Sequence, residues 1–171
     1  METAANFAFV KIVGFPNPVD EISARIVAAM VVLLSVATIA AGWEWGAALI
    51  CLGFLLRVIA GPTLSPLGQI ATRLIRPRLD IDPVECPGPP KRFAQAIGFI
   101  VSGASAIVWI GAGNGAAGRI ILAVLVVAAS LEAFAGFCLG CRMFSVLMRL
   151  GVIPEPICER CASVGSASAA R

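Results

Sequence analysis

The chain has little charge and contains no histidine or tyrosine. Charged residues make up 13% of its 171 positions, against roughly 25% in soluble domains. Hydrophobic residues make up 59%, and the mean hydropathy is +0.94. This composition excludes a large soluble domain and indicates a membrane protein. The formal net charge of +3 is too small to predict nucleic-acid binding.

The first apolar run also lacks the features of a cleaved signal peptide. No basic region opens the chain, the run is long, and it has no clear small-residue cleavage site. We therefore expect this run to stay in the protein as a membrane span.

The sequence predicts four membrane spans, since about 20 apolar residues cross roughly 30 Å of hydrocarbon as a helix. The spans cover residues 22–41, 45–60, 93–112 and 119–138. Between spans two and three, apolar residues recur at helical spacing beside arginines, which predicts a short amphipathic helix on the membrane surface at residues 65–77. Ser65 is its predicted N-cap and Pro66 its first residue.

The predicted fold class is therefore all-α. It is a polytopic membrane protein with a bundle of four transmembrane helices, a short cytoplasmic amphipathic helix between spans two and three, and an interfacial helix after span four. Residues 1–19 form a cytoplasmic N-terminal segment, residues 20–150 the membrane domain, and residues 151–171 a cytoplasmic tail with a CxxC motif.

The basic residues predict the orientation. Of the thirteen Lys and Arg residues, only Arg119 lies beside the first or third connection. Because basic residues favour the cytoplasmic side, both termini and the long second connection are predicted to be cytoplasmic, in a multi-pass protein of the inner membrane. Trp43, Trp45 and Trp109 fall at the opposite ends, where an interfacial belt of aromatic residues is expected.

Two intramembrane charges, Glu132 and Arg57, need an explanation. Glu132 lies roughly 9 Å before Cys138 along span four, and a carboxylate at that depth needs a partner, a proton or a wet cavity. Arg57, near the cytoplasmic end of span two, is the predicted partner, and Arg25 is the second choice. The alternative is that Glu132 donates a proton to the CxxC motif.

Three other cations are candidates to support a thiolate or another anion. Lys91 and Arg92 open span three, where we expect them to anchor the chain at the interface; the functional alternative is that they hold an anionic headgroup or substrate. Arg142 follows directly after Cys141, so it is a candidate to stabilise a thiolate or a persulfide.

Four of the six cysteines form two CxxC pairs. Their pattern, C-x2-C-x16-C-x2-C, falls within the spacing of zinc sites, and the residues are Cys138, Cys141, Cys158 and Cys161. Static disulfides are the least expected use, because thiols on the cytoplasmic side are kept reduced. Cys51, in mid-span, is expected to be a small buried hydrophobe, and Cys86 alone indicates no function.

Three uses of the two pairs are open. Four thiolates would bind zinc or iron tetrahedrally; each pair would cycle between dithiol and disulfide or carry a persulfide; or the thiols are unreactive. An unbroken span four would put Cys138 and Cys141 near a helix C-terminus, which raises a thiol pKa. Only a break at Gly136 or Gly140, with a new helix starting at the motif, would reverse that effect.

Three blocks of the sequence resemble a known family: GWEWGAALICLGFLLRVIAGPTLSPLGQ, GPPKRFAQAIGF and LEAFAGFCLGCRMFSVLMRLGVIPEPICERC. It is a bacterial, often actinobacterial, family of small integral membrane proteins classed as a domain of unknown function. The resemblance implies four spans, no established activity, and genes that often lie near those of thioredoxin-like proteins and sulfurtransferases. A more distant likeness to four-span proteins of quinone-linked sulfur or thiol oxidation makes quinone a candidate cofactor by analogy alone.

The resemblance favours thiol or sulfur chemistry. The predicted function is a thiol redox or sulfur relay at the membrane, with Cys138 and Cys141 as the reactive pair and with Cys158 and Cys161 as a second pair that exchanges with it. A soluble thioredoxin-like protein or a sulfurtransferase is the expected partner. The alternatives are a membrane scaffold with a structural zinc or iron site made by the four cysteines, and a transporter or channel component, for which no broken-helix repeat is found.

Overall fold

The computed structural model describes residues 19–79, 84–86 and 88–150. In these ranges the chain forms, in order, β1 (Val19–Asp20), α1 (Glu21–Ala41), α2 (Glu44–Ala60), α3 (Pro66–Gln69), β2 (Glu85–Cys86), α4 (Gly88–Ala106), α5 (Gly115–Ala135) and α6 (Leu139–Arg149). Shorter helical turns adjoin them: 3-10 turns at Gly61–Thr63 and Arg76–Arg78, and wider π-helical turns at Ile70–Ile75 after α3 and at Ile107–Gly111 after α4.

Local sequence sets the ends of the helices. Asp20 is the N-cap of α1 and accepts the Ser23 N–H at 3.0 Å, as an Asp just before an apolar run predicts. Gly42 follows α1 with a φ of 64°, a left-handed conformation that glycine adopts without strain. Ser65 is the N-cap of α3 and Pro66 its first residue, which confirms both predictions.

The four long helices form an antiparallel bundle. Helix α1 packs against α5 and α2 against α4, while α4 also contacts α5 and α1 contacts α2. All four are long and apolar enough to cross a membrane. Their outer faces expose large apolar side chains, such as Leu33 at 70% and Phe134 at 75%, which is a surface suited to lipid. The all-α, four-span membrane fold is therefore confirmed.

Small residues bring the helices into close contact. A Cβ atom on Gly98 of α4 would overlap the ring of Phe54 on α2, and one on Gly118 of α5 would overlap Trp109. The Ser105 hydroxyl of α4 donates to the Gly118 carbonyl at 2.8 Å. Close approach through glycine and interhelical bonds from serine are the usual means of helix association in lipid.

The contact with Gly118 places Trp109 in the protein core. Trp109 is only 5% exposed, and the Arg119 guanidinium carbon lies 5.3 Å from its ring centroid. The prediction that Trp109 belongs to an interfacial belt is therefore wrong, because its ring fills the space opposite a glycine. Trp43 and Trp45 are exposed, at 47% and 57%, as that prediction requires of them.

One end of the bundle carries additional elements. Strands β1 and β2 pair in antiparallel fashion, with Val19 opposite Cys86. Helix α4 begins at Gly88, ahead of the predicted start of span three at 93, with two prolines in its first turn, where a missing N–H costs no helical bond. Helix α6 packs against α4, with the Phe93 and Phe144 ring centroids 5.6 Å apart. The first CxxC pair lies at the start of α6.

Candidate functional site

Helix α5 ends just before the first CxxC pair. Gly136 follows it with a φ of 64°, so the span terminates earlier than the predicted boundary at 138. The Gly136 N–H bonds to the Glu132 carbonyl at 3.2 Å, and the Phe137 N–H bonds to the Leu131 carbonyl at 3.0 Å. These bonds satisfy the last carbonyls of the helix, and glycine allows the turn without a Cβ clash. The fourth span therefore breaks at Gly136.

A new helix, α6, begins at the CxxC motif itself. Cys138 is its N-cap, with φ −84° and ψ 105°, and the Cys138 sulfur accepts the Cys141 N–H at 3.4 Å. The Arg142 N–H bonds to the Cys138 carbonyl at 3.1 Å and closes the first turn. The dipoles of a helix N-terminus favour negative charge on a thiol placed there. The motif therefore does not lie at a helix C-terminus, where the helix dipole would raise the thiol pKa and disfavour a reactive pair.

The two thiols of the motif have different acidities. A hydrogen bond from the Cys141 thiol lowers the pKa of Cys138, against burial and the charge of Glu132, and Lys91 adds to the lowering. The pKa of Cys141 is raised, because its thiol donates that hydrogen bond and because burial disfavours its thiolate. Cys138 is 9% exposed and Cys141 partly exposed. Cys138 is therefore the thiol that ionises first, and Cys141 keeps its proton.

Glu132 pairs with Lys91 and not with Arg57. The Lys91 Nζ lies 2.7 Å from Glu132 Oε1, and the side chains are 8% and 16% exposed. The predicted Arg57–Glu132 pair is wrong because α4 packs against α5 and its early start brings Lys91 to the end of that helix. Lys91 is also not an interfacial anchor, since it is buried beside both thiols of the motif.

Arg57 and Arg25 have other partners in place of Glu132. Arg57 is 4% exposed; its Nε donates to the Gly53 carbonyl at 3.1 Å, and its guanidinium carbon lies 4.2 Å from the Phe54 ring centroid. Arg25 donates to two of the last carbonyls of α5, at 3.3 and 3.1 Å. A cation at that position stabilises the carboxyl end of the helix.

The other two predicted cations contact groups other than the thiols. Arg142 is exposed, with its guanidinium carbon 5.2 Å from the ring centroid of Phe137. Arg92 is exposed and donates to the Val58 carbonyl of α2 at 2.9 Å. Of the three predicted support residues, Lys91 is the one whose charge acts on both thiols.

The second CxxC pair, Cys158 and Cys161, lies outside the described residues. The four-cysteine metal site and the second redox pair therefore stay predictions. Among residues 19–79, 84–86 and 88–150, no group of three or more His, Cys, Asp or Glu side chains is placed to hold a metal ion. Cys51 lies half-buried in α2. The Cys86 thiol donates to the Val19 carbonyl at 3.2 Å, and burial raises its pKa to about 11.

Gln95 is a polar residue of this region that sequence reasoning missed. It lies one helical turn after Lys91 on α4, and both side chains line one cavity at this end of the bundle. The spacing of four residues, which puts two polar side chains on the same face of an apolar helix, was the signal in the sequence.

Fold and site together define a class: a four-span helical membrane protein with a CxxC motif at the start of a helix, at one end of its bundle. The chain belongs to the family described as domain of unknown function DUF4395, whose model matches residues 19–149. The matched range contains Cys138 and Cys141 and ends before Cys158. No curated protein and no solved structure matches the chain.

Proposed function

We propose that the protein is a membrane-bound thiol–disulfide exchange protein in which Cys138 and Cys141 are the reacting dithiol. The observation that carries the proposal is the break at Gly136, since it makes Cys138 the N-cap of α6. The helix N-terminus, the hydrogen bond from Cys141 and the charge of Lys91 all favour the Cys138 thiolate. A thiolate beside a protonated second thiol is the arrangement that disulfide exchange requires.

The exchange has two steps. The Cys138 thiolate attacks one sulfur of a partner's disulfide, which forms a mixed disulfide and releases the other partner sulfur as a thiolate. Cys141 then gives its proton to that thiolate and attacks the Cys138 sulfur. The Cys138–Cys141 disulfide forms, and the partner leaves with two reduced sulfurs, one of them protonated. Two electrons pass from the protein to the partner, and the reverse reaction returns them.

A soluble thioredoxin-like protein is the proposed partner, because its CxxC disulfide is the chemical counterpart of this dithiol. A sulfurtransferase is the alternative: the Cys138 thiolate would take the terminal sulfur of a partner persulfide and leave the partner as a thiolate. Cys158 and Cys161 would pass the electrons or the sulfur onward. We place the exchange at the cytoplasmic face of the inner membrane, which the distribution of basic residues supports.

Redox titration of the purified protein tests the proposal. In thiol buffers from roughly −320 to −120 mV, we expect Cys138 and Cys141 to interconvert reversibly between dithiol and disulfide, followed by mass spectrometry of alkylated peptides. Cys51→Ser and Cys86→Ser remove thiols elsewhere in the fold and should leave the transition unchanged. Cys138→Ser should abolish it.

Trapping distinguishes the roles of the two cysteines. Cys141→Ser should hold a thioredoxin-like protein as a stable mixed disulfide, and Cys138→Ser should not. With a persulfide donor, gain of one sulfur atom on Cys138 would assign the sulfur-transfer alternative. A pair that stays reduced over the whole range would overturn the disulfide exchange, and a Cys138 that gains no sulfur from the donor would overturn the sulfur transfer. Stoichiometric zinc or iron that is lost in Cys158→Ser would replace the exchange function with the metal site.

A further inference from the structure

A cavity of about 180 Å³ lies at the same end of the bundle as the CxxC motif, on the other side of Lys91. It is bordered by β1, by α1, by the end of α2, by the turns around α3 and by the first turns of α4. Most of its wall is apolar, and its polar side chains are Asp20, Ser23, Arg57, Thr72, Lys91 and Gln95. These polar groups decide what the cavity can hold.

The charges around this cavity do not cancel. Asp20 forms an ion pair with Arg76 at 2.8 Å, and Lys91 forms one with Glu132 at 2.7 Å. Among the described residues Arg57 has no carboxylate within ion-pair distance, although its side chain is 4% exposed. Glu132 acts on Arg57 only at longer range. Among the described side chains one positive charge, on Arg57, is therefore left over in a buried position, where an unpaired charge is costly.

The cavity also has unused hydrogen-bond donors. Arg57 donates through Nε to its own helix, and the terminal nitrogens of its guanidinium have no partner among the described residues. Lys91 has one described acceptor for its three N–H groups. Gln95 makes no side-chain hydrogen bond to a described residue, so its Nε2 amide is the donor that it can offer to a ligand, while its Oε1 is a buried acceptor without a partner. The hydroxyls of Ser23 and Thr72, in contrast, donate within the protein.

We propose that this cavity binds an oxyanion group, such as a phosphate, phosphodiester or sulfur oxyanion, against Arg57 with Lys91 and Gln95 as further donors. Such a group supplies the missing negative charge and several acceptors at once. Its source is either a free anion or the headgroup of an acidic lipid. An apolar cavity of about 250 Å³ also borders Arg57, and its Leu49 and Leu52 walls suit an acyl chain. This proposal does not rest on the proposed thiol exchange, although Lys91 takes part in both.

Thermal unfolding of the purified protein tests this proposal. In neutral detergent, sulfate and phosphate are compared with chloride at equal ionic strength. In bilayer nanodiscs, phosphatidylglycerol mixed with phosphatidylcholine is compared with phosphatidylcholine alone. Ligand at about 100 times its Kd should raise the Tm by roughly 5–10 °C. A rise with the inorganic anions assigns a free oxyanion, and a rise with phosphatidylglycerol alone assigns a lipid headgroup.

Two variants make the test specific. Arg57→Met keeps an unbranched side chain that reaches the position of the arginine Nε and removes the unpaired cation, so it should fold and lose the anion-dependent rise. Arg92→Gln removes an exposed neighbouring cation that does not line the cavity. This variant should keep the anion-dependent rise in Tm. Gln95→Leu, which removes a donor without changing charge, should reduce the rise at least threefold and serves if Arg57→Met does not fold. No rise in the parent protein, or equal rises with and without the donors, would overturn the proposal.

Discussion

At the scale of single residues, two neighbours of opposite charge act on the pKa of Cys138 in addition to the hydrogen bond from Cys141 and burial. Lys91 lowers the Cys138 pKa and Glu132 raises it. Because their side chains pair at 2.7 Å, the two charges largely cancel at the sulfur. Removing one member leaves a single charge next to the thiol, and the sign of that charge determines how the pKa moves.

Glu132→Gln and Lys91→Met should therefore shift the pKa of Cys138 in opposite directions. Glu132→Gln lowers the Cys138 pKa further and speeds its alkylation at neutral pH, and Lys91→Met raises the pKa and slows alkylation. Each change should be about 3- to 10-fold, which corresponds to roughly half to one pKa unit. The measurement is the rate of iodoacetamide labelling against pH, followed by peptide mass spectrometry. Arg92→Gln is the matched control, and a change of the same sign in both variants would show local unfolding instead of a charge effect.

Cys86 gives a second prediction from its environment. Burial raises its pKa to about 11, so it is a thiol at neutral pH and becomes a thiolate only as the pH rises through that value. Its alkylation should therefore be slow at pH 8 and increase about tenfold per pH unit up to the pKa. The same peptide analysis measures both cysteines. Labelling of Cys86 at pH 8 as fast as that of Cys138 would contradict the raised pKa of the partly buried Cys86 thiol.

At the scale of the helices, the break between α5 and α6 determines where the motif lies. Gly136→Ala places a Cβ at a φ of 64°, which costs about 1 kcal/mol. The substitution favours continuation of α5 and weakens the N-cap at Cys138. We expect a lower Tm and slower alkylation of Cys138 at neutral pH. A lower Tm with an unchanged Cys138 rate would show that the N-terminal position has no effect on its pKa.

A pair of glycines tests the packing between helices. A Cβ at Gly118 would overlap backbone-near atoms of Trp109, and a Cβ at Gly53 meets nothing within 4 Å. Gly118→Ala should therefore destabilise the bundle by about 1–3 kcal/mol, and Gly53→Ala should stabilise α2 by roughly 0.5–1 kcal/mol. Thermal unfolding in detergent measures both. Equal shifts would contradict the close α4–α5 contact.

Much of the fold could be predicted because the determining signals are local. Apolar length predicts the four spans, and Asp20 and Ser65 predict helix starts from their own short sequences. The partner of Glu132 and the environment of Trp109 depend on which helices are neighbours and on where α4 begins. These features depend on tertiary packing, which leaves no periodic pattern in the sequence. The break at Gly136 is intermediate: glycine permits it, but an apolar run through the glycine also permits one continuous helix.

At the scale of the whole molecule, the polar chemistry is concentrated at one end of the bundle. The CxxC motif, the Lys91–Glu132 pair and the cavity around Arg57 all lie there. The opposite end has the short turns after α1 and α4. The side of the membrane that this polar end faces therefore determines whether the thiols meet a reducing or an oxidising environment.

Site-directed labelling measures that orientation. Ala112→Cys introduces a thiol in the exposed turn between α4 and α5, and Leu79→Cys introduces one at the polar end, where Leu79 is 36% exposed. With the polar end in the cytoplasm, a membrane-impermeant maleimide added to intact cells should label Ala112→Cys at once and Leu79→Cys only after lysis. The parent chain, with its six cysteines, sets the background. The reverse pattern would place Cys138 and Cys141 in an oxidising compartment, where they would be held as a disulfide. The proposed exchange with cytoplasmic thioredoxin-like proteins could then not occur.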